Sequence, residues 1–258
     1  MRSSRPAARP AGRSRMKNIL RRQATQRQPS VLKIHRMGTL YLVRHGQASF
    51  GADDYDVLSP LGHRQCVRLG EYFACKGVRF EAALTGTLNR QRQTFAGICE
   101  GMDISLQALS WGGLNEYDSA AVIGATHAGE LAKADTPELY KHHFRLLKAG
   151  LAQWMAGAAS PDGMPSYAGF VAGVTSALAH VRSHYDGNVL LVSSGGPIAT
   201  AVGQLLGLSA EMIIELNMGI RNTSVTELAF SPRRCRLVTY NTLPHLDAPD
   251  CAGWVTYA

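Results

Sequence analysis

Residues 40–49 read LYLVRHGQAS, an apolar run that ends in Arg44, His45 and Gly46. Leu40, Tyr41, Leu42 and Val43 suit a buried strand, being aromatic, β-branched or large and aliphatic. A strand that stops on a cation, an imidazole and a residue with no side chain is either turning or presenting chemistry at its carboxyl end. The rest of the chain decides between the two.

Working outward, strands are expected at 39–44, 81–85 (EAALT), 188–193 (NVLLVS), 224–230 (SVTELAF) and 235–240 (CRLVTY). Ser59 and Pro60 form a cap and first turn that open a helix running to about Lys76. Leu61, Cys66 or Val67, Leu69 or Gly70, and Phe73 recur in it at helical spacing, and Gly77 ends it. Two more helices are expected, from about Thr87 to Cys99 and, after a Gly-Gly-Pro turn, from about Pro197 to Leu206. Strands alternating with helices imply an α/β three-layer sandwich, with a mostly parallel central sheet and helices on both faces. Ligands of such sheets bind beyond the carboxyl ends of the strands, where Arg44 and His45 stand.

From about 119 to 185 the alternation breaks. No strand pattern occurs there, while Tyr140, Phe144, Leu147, Leu151 and Trp154 trace the stripe of an amphipathic helix. This segment is expected to be a helical cap inserted into a domain spanning 38–258.

The formal charge of +8 is uneven: residues 1–36 hold nine Arg and two Lys but no Asp or Glu. Setting those 11 aside leaves 16 basic against 19 acidic residues, so the body is slightly acidic and no nucleic-acid face is expected on it. The Arg-, Ser- and Pro-rich stretch 1–37 is expected to be a disordered basic tail. It fits an organellar transit peptide, a polyanion-binding arm, or a segment upstream of a true start at Met37, the last being favoured. Five scattered cysteines suggest neither zinc nor a disulfide framework, and a cytoplasmic location is expected unless the tail directs import. The uncharged run 187–210 is broken by Ser193, Ser194, Gly195, Gly196 and Pro197 into pieces too short to span a bilayer, so no membrane is expected.

LYLVRHGQAS, LSPLGHRQCVRLG, LTGTLNRQRQT, LNEYD, LLVSSGGPI and NTSVTEL, in this order between about Leu40 and Tyr240, resemble the histidine phosphatase superfamily with its phosphoglycerate mutase-like fold. The resemblance implies that His45 is a nucleophile that becomes a phosphohistidine. A neutral imidazole suits that task, and Gly46 allows close approach of the backbone. It further implies that Arg44 and Arg90 grip the phosphoryl oxygens, as planar, permanently charged donors can. Glu116 takes the place of the acid and base, with Asp118 as the stand-in. Arg92 and Arg64 are expected on helix surfaces, and Asn222 as support for the loop around the site.

One position departs from the family pattern: Ser194 stands where a second histidine is usual. Loss of one preorganised donor typically costs about 2.7 to 4 kcal/mol, or about a hundred- to a thousandfold in rate. The hydroxyl of Ser194, with Gly195 and the following helix start, is expected to act as a weak phosphate ligand that also caps the helix. The expected function is a phosphatase of small phosphate monoesters with low activity, needing no cofactor or metal. A phosphate-binding pseudoenzyme or regulatory module is the alternative, and a phosphoglycerate mutase the third.

Overall fold

β1 (Gly38–Arg44) lies inside the sheet, hydrogen-bonded on both sides. The structure is a computed structural model that describes Met1 and residues 37–49, 56–129 and 136–257. The basic tail expected over 1–37 falls, except for its two end residues, outside the described residues. β1 runs parallel to β4 (Asn188–Ser193), and β4 runs parallel to β2 (Ala82–Thr85). A short β3 (Ala108–Ser110) extends the parallel part beyond β2. On the other side of β1, β5 (Val225–Phe230) and β6 (Cys235–Thr242) are antiparallel, giving the order β3-β2-β4-β1-β5-β6. The architecture is therefore α/β with a mostly parallel six-stranded sheet.

Period-two alternation along β1 sends its side chains into two separate cores. Leu40 and Leu42 join Val189, Leu191 and Leu228 under α5 (Tyr167–His184) and α6 (Gly195–Leu206). Val43, with Leu190 and Val192, packs on the opposite face against α1 (Pro60–Cys75) and α2 (Asn89–Met102). β4 is apolar on both faces because helices cover both.

Between β3 and β4 the described residues carry helices: the short α3 (Ser119–Gly124), then α4 (Pro137–Met155), then α5. Leu151 and Trp154 at the end of the α4 stripe are buried, whereas Phe144 and Leu147 are half-buried and Tyr140 is exposed. A helix not expected from the sequence, α7 (Ala210–Gly219), follows α6 and is capped by Ser209. α6 starts at Gly195, two residues before the expected Pro197. Proline is tolerated there because N–H groups of the first helical turn have no intrahelical acceptor.

α1 behaves as its sequence predicts: the Ser59 hydroxyl accepts from Gly62 N at 3.0 Å, and Gly77 follows the helix with a left-handed φ of 66°. It docks closely on α2 because glycines line the seam. A Cβ on Gly70 would fall 2.2 Å from the Ile98 carbonyl oxygen, and one on Gly101 would fall 2.0 Å from that of Val67. We expect Gly70→Ala to force these helices apart and cost about 1–3 kcal/mol of stability, read as a lower urea midpoint at unchanged slope.

Candidate active site

The parallel strands end together. Arg44 on β1 is in register with Ser193 on β4, and Thr85 on β2 with Val192. His45 continues the pairing one step further, its N–H donating to the Ser193 carbonyl at 2.9 Å. The His45 carbonyl in turn accepts from Asn222 Nδ2 at 3.1 Å and Thr223 N at 3.3 Å. Hydrogen bonds with two other parts of the chain, one of them from the Asn222 side chain, thus fix where the ring begins.

His45 is 3% exposed, and its Nδ1 lies 2.8 Å from the Gly46 carbonyl oxygen. A carbonyl oxygen can only accept, so the proton sits on Nδ1 and the lone pair on Nε2. Burial, then the positive charges of Arg44 and Arg90, hold the imidazole pKa well below the usual 6.5. The ring is neutral at physiological pH.

Arg90 enters from the first turn of α2. Its Nη1 donates to Asp56 Oδ1 at 2.7 Å, while Asp56 Oδ2 accepts from Asn89 N at 2.8 Å. Asp56 therefore caps α2, whose N-cap residue Leu88 makes no side-chain cap, and orients the guanidinium at the same time. One turn on, the Thr94 hydroxyl donates to the Arg90 carbonyl at 2.7 Å and accepts from Gly46 N at 3.0 Å, tying α2 to the loop after β1. Arg44 Nη1 donates to two carbonyls, those of Ile220 at 2.6 Å and Tyr257.

Glu116 comes from the loop after β3, which is held by Leu114: its carbonyl accepts from Ser193 Oγ at 2.7 Å and Gln91 Nε2 at 2.9 Å. The Glu116 carboxylate accepts from Gly196 N at 3.1 and 3.2 Å, at the N-terminus of α6. A side chain on Gly196 would collide with it, the added Cβ lying 2.2 Å from Glu116 Oε1. Burial raises the Glu116 pKa above 4.5, against the opposing pull of the Gly196 N–H and both arginines.

Arg44, His45, Arg90 and Glu116 line one cavity of about 460 Å³. Four of the residues singled out in the sequence therefore meet. Asp118 also borders the cavity, but it is exposed and its Oδ1 caps the following helix by accepting from Ala120 N and Ala121 N. Arg92 and Arg64 are exposed on their helices.

Ser194 and Gly195 are not among the lining residues. The expectation that the Ser194 hydroxyl caps α6 is corrected: it makes no cap hydrogen bond, is fully buried, and accepts from Gln91 Nε2 at 2.9 Å. The α6 N–H that a cap would take is occupied by Glu116. Sequence reasoning missed Asp56, Gln91 and Thr94. Of these, Thr94 was detectable, since it lies four residues after Arg90 on the same helix face.

With this geometry in hand, the comparisons give one answer. Residues 40–243 match the family model of the histidine phosphatase superfamily (branch 1), and the chain belongs to that family. A 2,3-bisphosphoglycerate-dependent phosphoglycerate mutase of Mesorhizobium japonicum is 28% identical over 192 residues, 70% of this chain and 87% of the relative. A phosphoserine phosphatase variant from Entamoeba histolytica, solved with phosphoserine, shares the fold at TM-score 0.55 and 20% identity, covering 81% of this chain and all of that one. A mycobacterial glucosyl-3-phosphoglycerate phosphatase does so at TM-score 0.56 and 22% identity, covering 80% and 99%. Phosphatases and mutases both stand among these relatives. Among the described residues, no group of three or more His, Cys, Asp or Glu could hold a metal ion, and no helix is long and apolar enough to cross a membrane.

Behind the His45 loop, His245 Nε2 lies 2.9 Å from the Thr223 hydroxyl. Burial pushes the His245 pKa from 6.5 down to about 3. A group whose folded pKa is depressed below its unfolded value contributes stability that is fully present above the unfolded pKa and lost as pH falls toward the folded one. Comparing wild type with His245→Gln between pH 6.5 and 4.5, we expect the wild type to lose about 2 kcal/mol more, measured by urea unfolding at each pH.

Proposed function

We propose that the protein hydrolyses phosphate monoesters through a phosphohistidine on His45. The observation that carries this is one cavity in which a neutral imidazole, its Nδ1–H donated to the Gly46 carbonyl, meets two guanidinium groups and a carboxyl of raised pKa. Nε2 of His45 attacks phosphorus in line as the ester P–O bond breaks. Arg44 and Arg90 stabilise the charge on the equatorial oxygens. Glu116, protonated, gives its proton to the departing alkoxide. As carboxylate it then takes a proton from the water that cleaves the P–N bond, releasing phosphate and restoring the neutral ring. Asp56, Thr94 and Asn222 act through the residues they orient.

The test uses an aryl phosphate with wild type, His45→Ala and Ser194→His. Slow turnover by wild type and none by His45→Ala is the expected result. A second reading, a phosphate-binding module without turnover, is favoured by one observation: Ser194 spends its hydroxyl on Gln91 outside the cavity lining. Turnover confined to Ser194→His selects that reading. A mutase reading stands third, because it depends on retaining the phosphoryl group between two substrates; mono- and bisphosphoglycerate added to the same assay test it.

Two further outcomes follow from the ionisations. The productive form pairs neutral His45 with protonated Glu116, so kcat/KM should fall on the alkaline side as Glu116 ionises, and on the acid side only well below pH 6.5. A pH–rate profile peaking on the acid side of neutrality is therefore expected. Glu116→Gln should still release one equivalent of a nitrophenol, which leaves without acid assistance. Steady turnover should then be slower by about 10²- to 10⁴-fold, visible as a burst in stopped-flow absorbance.

A further inference from the structure

The geometry points to a phosphate ester of an uncharged, apolar alcohol, an aryl or alkyl phosphate, rather than to a phosphorylated hydroxy acid or amino acid. This rests on the phosphohydrolase reading of the same cavity and concerns the part that receives the alcohol. Beyond the phosphoryl end, that part is walled by Leu88, the ring of Tyr117, Phe144 and Leu147 of α4, and Met218 of α7. All five are half-buried, so they keep apolar surface facing the opening.

Besides Ser119, two polar side chains on this wall, Asn217 and Asp118, are engaged within the protein. Asn217 Nδ2 donates to the Tyr117 hydroxyl at 2.7 Å. Asp118 Oδ1 takes the Ala120 and Ala121 N–H groups, so those donors are not offered to a ligand. Among the described residues that line the cavity, Arg44 and Arg90 are the only Lys or Arg side chains, and both belong to the phosphoryl end. Lys141, Arg145 and Lys148, which share a face of α4, do not line it, and Lys148 pairs with Glu215.

A carboxylate on the alcohol would therefore lose water against Phe144, Leu147 and Met218, and among the described lining residues no cation besides the two arginines of the phosphoryl end would match it. Desolvating an unmatched charge is costly. A ring or alkyl chain instead covers apolar surface and leaves no charge unmatched. The cavity, about 460 Å³, is within the range that holds such a group besides the phosphate.

The test measures binding, so it does not depend on turnover. With the full chain, calorimetry compares 3-phenylpropylphosphonate, 3-phosphonopropionate and inorganic phosphate, none of which can be hydrolysed as an ester. We expect the phenylpropyl compound to bind at least about tenfold more tightly than the carboxylated one. Phe144→Ala should weaken the phenylpropyl compound about tenfold while leaving inorganic phosphate within about twofold. Equal or tighter binding of 3-phosphonopropionate overturns the inference, as does a Phe144→Ala loss that falls equally on inorganic phosphate. If none of the three binds, the inference falls together with the site. If the preference holds but no ester is turned over, the hydrolase reading falls and the ligand class stands.

Discussion

The site depends on keeping one imidazole unprotonated beside two guanidinium groups. Burial achieves most of this: desolvation is the largest influence on His45, and the repulsion of Arg44 and Arg90 acts in the same direction. The same burial acts oppositely on Glu116, whose charged form is the anion, and there the arginines only partly offset it. One secluded cavity thus moves the pKa of a base down and that of an acid up, each shift favouring the neutral form. Environments that shift two titratable groups in opposite directions in this way define acid and base roles more sharply than either residue's identity does.

The N-terminus of α6 shows how that arrangement is held. A helix start presents N–H donors and a positive dipole end, and the sequence suggested that Ser194 or a phosphate would use them. Instead the Glu116 carboxylate takes Gly196 N, and the absence of a side chain at Gly196 is what lets it approach. Ser194 is drawn into a different network, in which Gln91 Nε2 bridges its hydroxyl and the Leu114 carbonyl. That network braces the loop that ends in Glu116. Ser194 is therefore coupled to the acid through scaffolding.

Much of the sheet was legible because burial leaves a mark on composition. NVLLVS is apolar on both faces, and TLYLVR alternates between two cores while ending in polar residues at the carboxyl edge. α1 was readable from Ser59, Pro60 and Gly77, which are local signals of helix ends. β3 escaped because it has three residues and no buried one. α7 was missed although Ser209 caps it. Among the site residues, Arg44, His45, Arg90 and Glu116 were found through motif order, while Asp56 and the Tyr257 carbonyl were not. Each of those meets its arginine across a long stretch of sequence, through loop geometry that has no periodicity to detect.

Those two unforeseen partners make the arginine pair unequal. Arg90 is oriented by a carboxylate, which aligns the guanidinium and also compensates part of its charge. Arg44 donates to the backbone carbonyls of Ile220 and Tyr257. The placement of Arg44 then depends on residues near the C-terminus. Thr256 bonds to both Gln65 and Asn222, and Asn222 also holds the His45 carbonyl, so the backbone that fixes Arg44 and the one that fixes the imidazole share a single bracing point. Preorganisation of the cation and of the nucleophile is in this respect one structural property.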